Sequence, residues 1–164
     1  YSDKNEKFIA PGAGKKHGYQ VINELFKLIP ENSGTDLKQA LKFTLQVLKR
    51  KSLIFVLSDF IDDDYHDLLR AMSKKHDLVI IQINSDVELK LPAMGIIPIY
   101  DPEKRKTTWV NTSTKSFKSL LAHEIHANAQ GLNDLCKQWQ ANYIQIKAGG
   151  DFVPSLIKLF RIRK

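Results

Sequence analysis

The sequence predicts an α/β protein with a doubly wound, mostly parallel sheet and a small β-hairpin insertion. Two observations carry this. Short apolar runs that do not alternate, Leu53-Ile54-Phe55-Val56-Leu57 and Leu78-Val79-Ile80-Ile81-Gln82-Ile83, read as strands covered on both faces. Around them, apolar residues recur at helical spacing, so strand and helix alternate along the chain. Crossovers in such a sheet are expected to be right-handed.

Residues 7–9 read as a short strand after a turn at Asp3-Lys4-Asn5. Residues 11–16 form a loop whose glycines invite comparison with a phosphate loop. The comparison fails, because Ile9 stands where the first glycine belongs and Lys16 where Ser or Thr should meet magnesium. A helix follows over 17–29, with Val21, Ile22, Leu25, Phe26 and Ile29 on one face, and Pro30 ends it. Thr35 is placed to cap the next helix, whose buried face is Leu37, Ala40, Leu41, Leu45 and Leu48. Lys49, Arg50 and Lys51 close that helix at its negative end. The strand 53–57 then runs into Ser58-Asp59. Asp62-Asp63-Asp64 is an acidic turn. Asp64 with Asp67 suggests a cap for a helix to about Lys75, burying Leu68, Leu69 and Met72. The same turn offers a cation site, but caps and dipole partners account for it more simply.

The strand 78–83 ends in Asn84-Ser85-Asp86. After a loop over 92–95, residues 96–100 and 107–110 form a hairpin around Asp101-Pro102-Glu103-Lys104, with Pro98 marking an edge strand. Asn111-Thr112-Ser113-Thr114 caps a long helix reaching about Gln140. Phe117, Leu121, Ile125, Leu132, Leu135, Cys136 and Trp139 are its apolar stripe, and Gly131 is its weak point. Residues 143–146 are a third strand of the sheet. Ala148-Gly149-Gly150 turns the chain into a last helix over 151–160, with Pro154 in its first turn.

A chain of 164 residues suits one domain, 1–164, able to bury roughly two thirds of its unfolded surface. Its 43% hydrophobic and 26% charged residues are ordinary for a globular protein. No apolar run approaches the roughly 20 residues of a membrane helix, and no secretory leader is expected. The single cysteine, Cys136, excludes an internal disulfide and fits a reducing, cytoplasmic compartment. The net charge of +7 is spread in small clusters without a nucleic-acid-binding motif. Solvated surface and helix ends account for it, and no nucleic-acid partner is expected. The chain starts at Tyr1 without a methionine and reads as a fragment.

Ligands of parallel sheets sit outside the carboxyl ends of the strands. Asp59 is expected there, and Thr35, opening the preceding helix, belongs to the same rim. Ser33, Gly34, Ser58 and Asp62 complete the expected binding rim.

Ser33-Gly34-Thr35-Asp36-Leu37-Lys38-Gln39-Ala40-Leu41, followed after one helix by Leu53 to Asp59, resembles the second half of a von Willebrand factor A domain. More narrowly, Gly34-Thr35-Asp36-Leu37, Lys49-Arg50-Lys51-Ser52-Leu53, Leu57-Ser58-Asp59-Phe60 and Asp151-Phe152-Val153 are similar to a bacterial family. It is the von Willebrand A-like family of unknown function associated with MoxR-type AAA+ ATPases. The resemblance covers nearly the whole chain. It implies a metal-ion-dependent adhesion site in which Thr35 and Asp59 hold Mg2+, directly or through water, while a partner's carboxylate completes the shell. The Asp-x-Ser-x-Ser that such a site also needs is absent, and its strand would precede Tyr1. The site is therefore incomplete and the fold truncated at its amino terminus. Magnesium is expected in the complete protein at most, and not tightly bound by this chain.

The resemblance further implies a non-enzymatic protein–protein interaction module that assists a MoxR-type ATPase in complex assembly. An edge left open beside 53–57 would favour homo-oligomers. The alternatives are a structural α/β domain without a metal, or a metal-dependent hydrolase. His123-Glu124-Ile125-His126 comes nearest to a zinc pattern, but its histidines are three apart where four are needed. Ser58 lacks the flanking glycines of a nucleophile elbow.

Overall fold

The computed structural model describes residues 4–29, 34–62, 64–84, 94–101 and 106–162. The element order is α1 (Gly14–Lys27), α2 (Leu37–Val47), β1 (Leu53–Ser58), α3 (His66–Lys75), β2 (Asp77–Asn84), β3 (Ile96–Asp101), β4 (Lys106–Asn111), α4 (Lys115–Gln138), β5 (Asn142–Lys147) and α5 (Val153–Ile162). The chain divides into two compact units, Tyr1–Leu53 with Phe60–Asp77, and Ile54–Asp59 with Leu78–Lys164.

In the first unit, residues 7–9 are not a strand. A strand persists only where a neighbour pairs with it, and these residues hold their place through side chains instead. Lys7 pairs with Glu24 at 2.7 Å, and the Phe8 ring meets Phe43 edge-on at 6.0 Å. The Lys7 hydrogen bond holds the Glu24 carboxyl below its usual range. Helix α1 begins earlier than expected, taking in Gly14, Lys15 and Lys16. Its apolar face is also turned the other way. His17, Val21, Glu24 and Leu28 are half-buried, whereas Ile22, Leu25, Phe26 and Ile29 are exposed, Phe26 to 88%.

Helix α2 buries Leu37 and Leu41 on the expected face; α3 packs against it and buries Leu69 and Met72. Full burial of such a side chain stabilises by about 1.5–3 kcal/mol. Among the described residues no side chain caps α3. Its N-cap is Tyr65, and Asp64, expected to cap it, reaches Lys38 instead. The preceding loop is held by two buried rings, Phe60 and Tyr65, 5.6 Å apart, with the Tyr65 hydroxyl donating to the Phe60 carbonyl. Phe60 has φ +57, a left-handed backbone that β-carbon-bearing residues seldom adopt. His76, just past α3, is buried, and among the described residues neither ring nitrogen has a hydrogen-bond partner.

In the second unit, strand order is β1-β2-β5, and β2 and β5 run parallel from Val79↔Asn142 to Asn84↔Lys147. The sheet is a parallel three-stranded one. Leu78, Val79, Ile80 and Ile81 make β2 its most buried strand. Leu159 of α5 packs on Val79 and Ile81, joined by Ile144, Ile146 and Leu156. Helix α4 also packs against β5 and buries Ala129, Leu132 and Cys136. As expected, Thr114 caps α4, accepting from the Phe117 amide. Gly149, at φ +74, makes the turn after β5, and the Asp151 carboxylate accepts from the Val153 amide, so α5 starts at 153 rather than 151. Strands β3 and β4 form the expected antiparallel hairpin, with Pro98 opposite Trp109. The expected turn at 102–104, Ser85-Asp86 and Pro92 lie outside the described residues.

The open edge expected beside 53–57 is found among the described residues, but the expected cover on both faces of β1 is not. Among the described residues β1 pairs with β2 alone. Ile54 is buried, but Leu53, Phe55 and Leu57 alternate with it and are exposed to 46%, 39% and 60%. An unbroken apolar run reports burial on two faces only where neighbours exist on both.

Replacing His76 with Met removes two buried, unpaired nitrogens for an apolar group of similar size, so urea denaturation should show equal or greater stability; a marked loss would reveal a missed partner. Burial pushes the Cys136 thiol from 9.0 up to about 12. The unfolded chain therefore ionises first, and the stability from the neutral thiol is full below pH 9.0 and lost as pH rises towards 12. Cys136→Ala should flatten the alkaline decline in Tm across that window, which thermal melts against pH will measure.

Candidate functional site

Gln82 interrupts the apolar run of β2, yet it is only 3% exposed. A buried amide must find partners for its donor and its acceptor. Its Nε2 donates to the main-chain carbonyl of Asp59 at 3.1 Å, and its Oε1 accepts from the Tyr143 hydroxyl at 2.5 Å. Tyr143 lies on β5 and Asp59 directly follows β1. One buried side chain thus ties the end of the edge strand to both other strands. The Asp59 side chain is exposed, and its Oδ1 accepts from the Ser58 hydroxyl at 3.3 Å. An exposed carboxylate on a fixed main chain, at the carboxyl end of a parallel strand, can receive a cation or a donor from a partner.

The other expected rim residues lie in the first unit, where the reading of Thr35 as N-cap is corrected. Asp36 is the N-cap, accepting from the Gln39 amide at 2.7 Å. Asp62 reaches the same helix end, where its Oδ2 accepts from the Leu37 amide at 2.6 Å. Two carboxylates therefore take amides that an α-helix leaves unpaired at its positive end. Asp62 serves α2, and this agrees with reading the acidic turn as caps. Thr35 and Gly34 are exposed just before α2. Ser33 and Asp63 lie outside the described residues.

Magnesium requires about six oxygens in octahedral array. The Thr35 hydroxyl and the Asp59 carboxylate are oxygen donors of the right type, but they are too few. Asp36 and Asp62 already accept from α2. Among the described residues, these donors fall short of the six oxygens that the ion takes.

Two features were not read from the sequence. Gln82 was legible as a polar residue inside an apolar strand, and that was its signal. The second is a depression of about 500 Å³ in the first unit, lined by Lys38, Lys42, Asp64, His66, Asp67 and Leu68. Lys38 pairs there with Asp64 at 3.2 Å, and the His66 ring stacks on Tyr65. Its charges are mixed, and nothing in it selects a ligand. His123, Glu124 and His126 are exposed on α4. Among the described residues no three His, Cys, Asp or Glu side chains gather as metal ligands, and no helix is long and apolar enough to cross a membrane.

A family model described as protein of unknown function DUF58 matches residues 1–130. No curated protein and no solved structure matches the chain.

Gln82→Leu would leave the Asp59 carbonyl and the Tyr143 hydroxyl without this partner and should lower stability by about 1–3 kcal/mol. Tyr143→Phe should cost less, about 1 kcal/mol. Denaturant titration of both variants checks the order; equal losses would count against the amide as the central link.

Proposed function

This chain belongs to the DUF58 family of unknown function, and from that premise we propose that it is a non-enzymatic protein-binding module. In this reading it carries part of a metal-ion-dependent adhesion site of von Willebrand A type. The supporting observation is the exposed Asp59, held by Gln82 at the carboxyl end of β1. Ligands of parallel sheets collect at such ends. The order Gly34-Thr35-Asp36-Leu37, one helix, one strand, then Ser58-Asp59 adds to it. Thr35 and Asp59 enter the reading as separate oxygen donors, and Mg2+ belongs to the complete protein. The ligand class is an acidic side chain on a partner protein. A MoxR-type AAA+ ATPase, served during complex assembly, is the partner that the family resemblance suggests, and this step rests on analogy.

A second reading, a structural α/β domain without a metal, draws support from Asp36 and Asp62, whose carboxylates work as helix partners.

Calorimetric titration separates the two. The 164-residue chain should show no micromolar affinity for Mg2+. If the coding sequence upstream of Tyr1 holds an apolar strand ending in Asp-x-Ser-x-Ser, the longer polypeptide should bind Mg2+, and Asp59→Asn should weaken that at least about tenfold. Micromolar binding by the short chain, or binding in the longer one that Asp59→Asn leaves unchanged, defeats the adhesion-site reading.

A further inference from the structure

Strand β5 lies at the far end of the strand order from β1, so what pairs with β1 does not bear on it. Among the described residues β5 pairs with β2 alone. A groove of about 270 Å³ runs beside it, bordered by residues 142–145 of β5 and by Ser155, Lys158 and Leu159 of α5. Neighbouring side chains of a strand point to opposite faces. A cavity that touches four residues in a row therefore follows the edge of the strand and not one face alone. Residues 155, 158 and 159 have the spacing of a single helix side. The groove thus has a strand edge for one wall and a helix for the other.

Its charge is of one sign, unlike that of the mixed depression in the first unit. Lys158, the Asn142 and Gln145 amides and the Ser155 hydroxyl are its polar groups, set around Ile144 and Leu159. Neither β5 nor α5 contains an Asp or Glu. Lys147 ends β5, Arg161 follows Lys158 by three residues on α5, and both are exposed. With a net charge of +7 behind it, such a lining favours an acidic occupant. A lysine on an edge strand also works against pairing with a second copy of a basic chain. The volume equals roughly nine waters at about 30 Å³ each. That suits the side chains of an extended segment and not a folded surface.

We propose that the groove between β5 and α5 holds an extended acidic segment of a partner protein, whose main chain adds to the β5 edge and whose carboxylate meets Lys158. Strand addition of this kind takes its affinity from main-chain hydrogen bonds and its specificity from pockets for alternate side chains. Every second side chain of the segment faces the groove, so acidic residues at alternate positions fit it. The site needs no metal and does not depend on the adhesion-site reading.

The probe is a blocked, fluorescein-labelled Glu-Val-Glu-Val-Glu-Val peptide, titrated with the 164-residue chain in EDTA and followed by anisotropy. The chelator removes any metal, so failure here and failure of the Mg2+ titration are separate results. Binding should appear with a Kd on the order of 10–100 µM, and the matching Lys-Val peptide should bind at least about tenfold more weakly. Lys158→Glu should weaken the acidic peptide at least about tenfold. Ser155→Arg adds a positive charge but fills the groove, so it should weaken binding too, whereas diffuse attraction to a basic surface would grow. Circular dichroism checks that both variants keep the fold. Of the two peptides N-methylated on alternate amides, one should lose binding while the other keeps it, because only one set of amides faces the strand. That comparison leaves the protein unaltered. No binding at about 1 mM overturns the proposal, as does equal binding of the basic peptide. Indifference to Lys158→Glu, tighter binding by Ser155→Arg, or equal binding of both methylated peptides and their parent overturns it as well.

Discussion

The carboxyl end of the sheet depends on one buried amide. Gln82 gives a hydrogen to the Asp59 carbonyl and takes one from Tyr143, so three strands share a single side chain. Inside a protein such bonds are strengthened by the low dielectric, and each partner left alone becomes costly for the same reason. The network is therefore closer to all-or-none than a set of apolar contacts would be. It also gives Asp59 a fixed origin. The carboxylate reaches solvent from a main chain that cannot drift along the strand direction without breaking the link to Gln82.

The first unit uses charge in a comparable way. The loop after β1 brings Asp62 to the Leu37 amide and Asp64 to Lys38, so two carboxylates from one acidic turn tether it to α2. The helix contributes its positive end, and the loop contributes anions that would otherwise repel each other. The Asp64–Lys38 pair is exposed and adds little. The amide bond to Asp62 is the firmer tether.

What was legible in the sequence was whatever local pattern decides. β2, β5, the hairpin and α4 were placed to within a few residues, because apolar runs and caps are written into adjacent positions. Thr35 and Asp36 show the limit. Both are good N-caps and they are neighbours, so only the built helix reveals which one accepts. Strand β1 and helix α1 show another. Periodicity names an apolar face but not its cover, and cover is set by residues distant in sequence or in another chain. Residues 7–9 failed for the same reason, since a strand needs a neighbour that the local sequence does not identify. Of the candidate site, Asp59 at a strand end was readable from the order of elements. Gln82 required knowing that its strand is buried.

Phe60 is subject to two opposing demands. Its left-handed backbone is one that glycine or asparagine would adopt with less strain, worth about 1 kcal/mol. Its ring, 1% exposed and set against Tyr65, fills a volume whose emptying would cost about 3–5 kcal/mol. The larger demand wins, so mutational drift at this position is confined to side chains that can fill the same space. The strain stays locked into the backbone immediately after Asp59, where the ring that fills the space also holds its own main chain in a conformation it would otherwise leave.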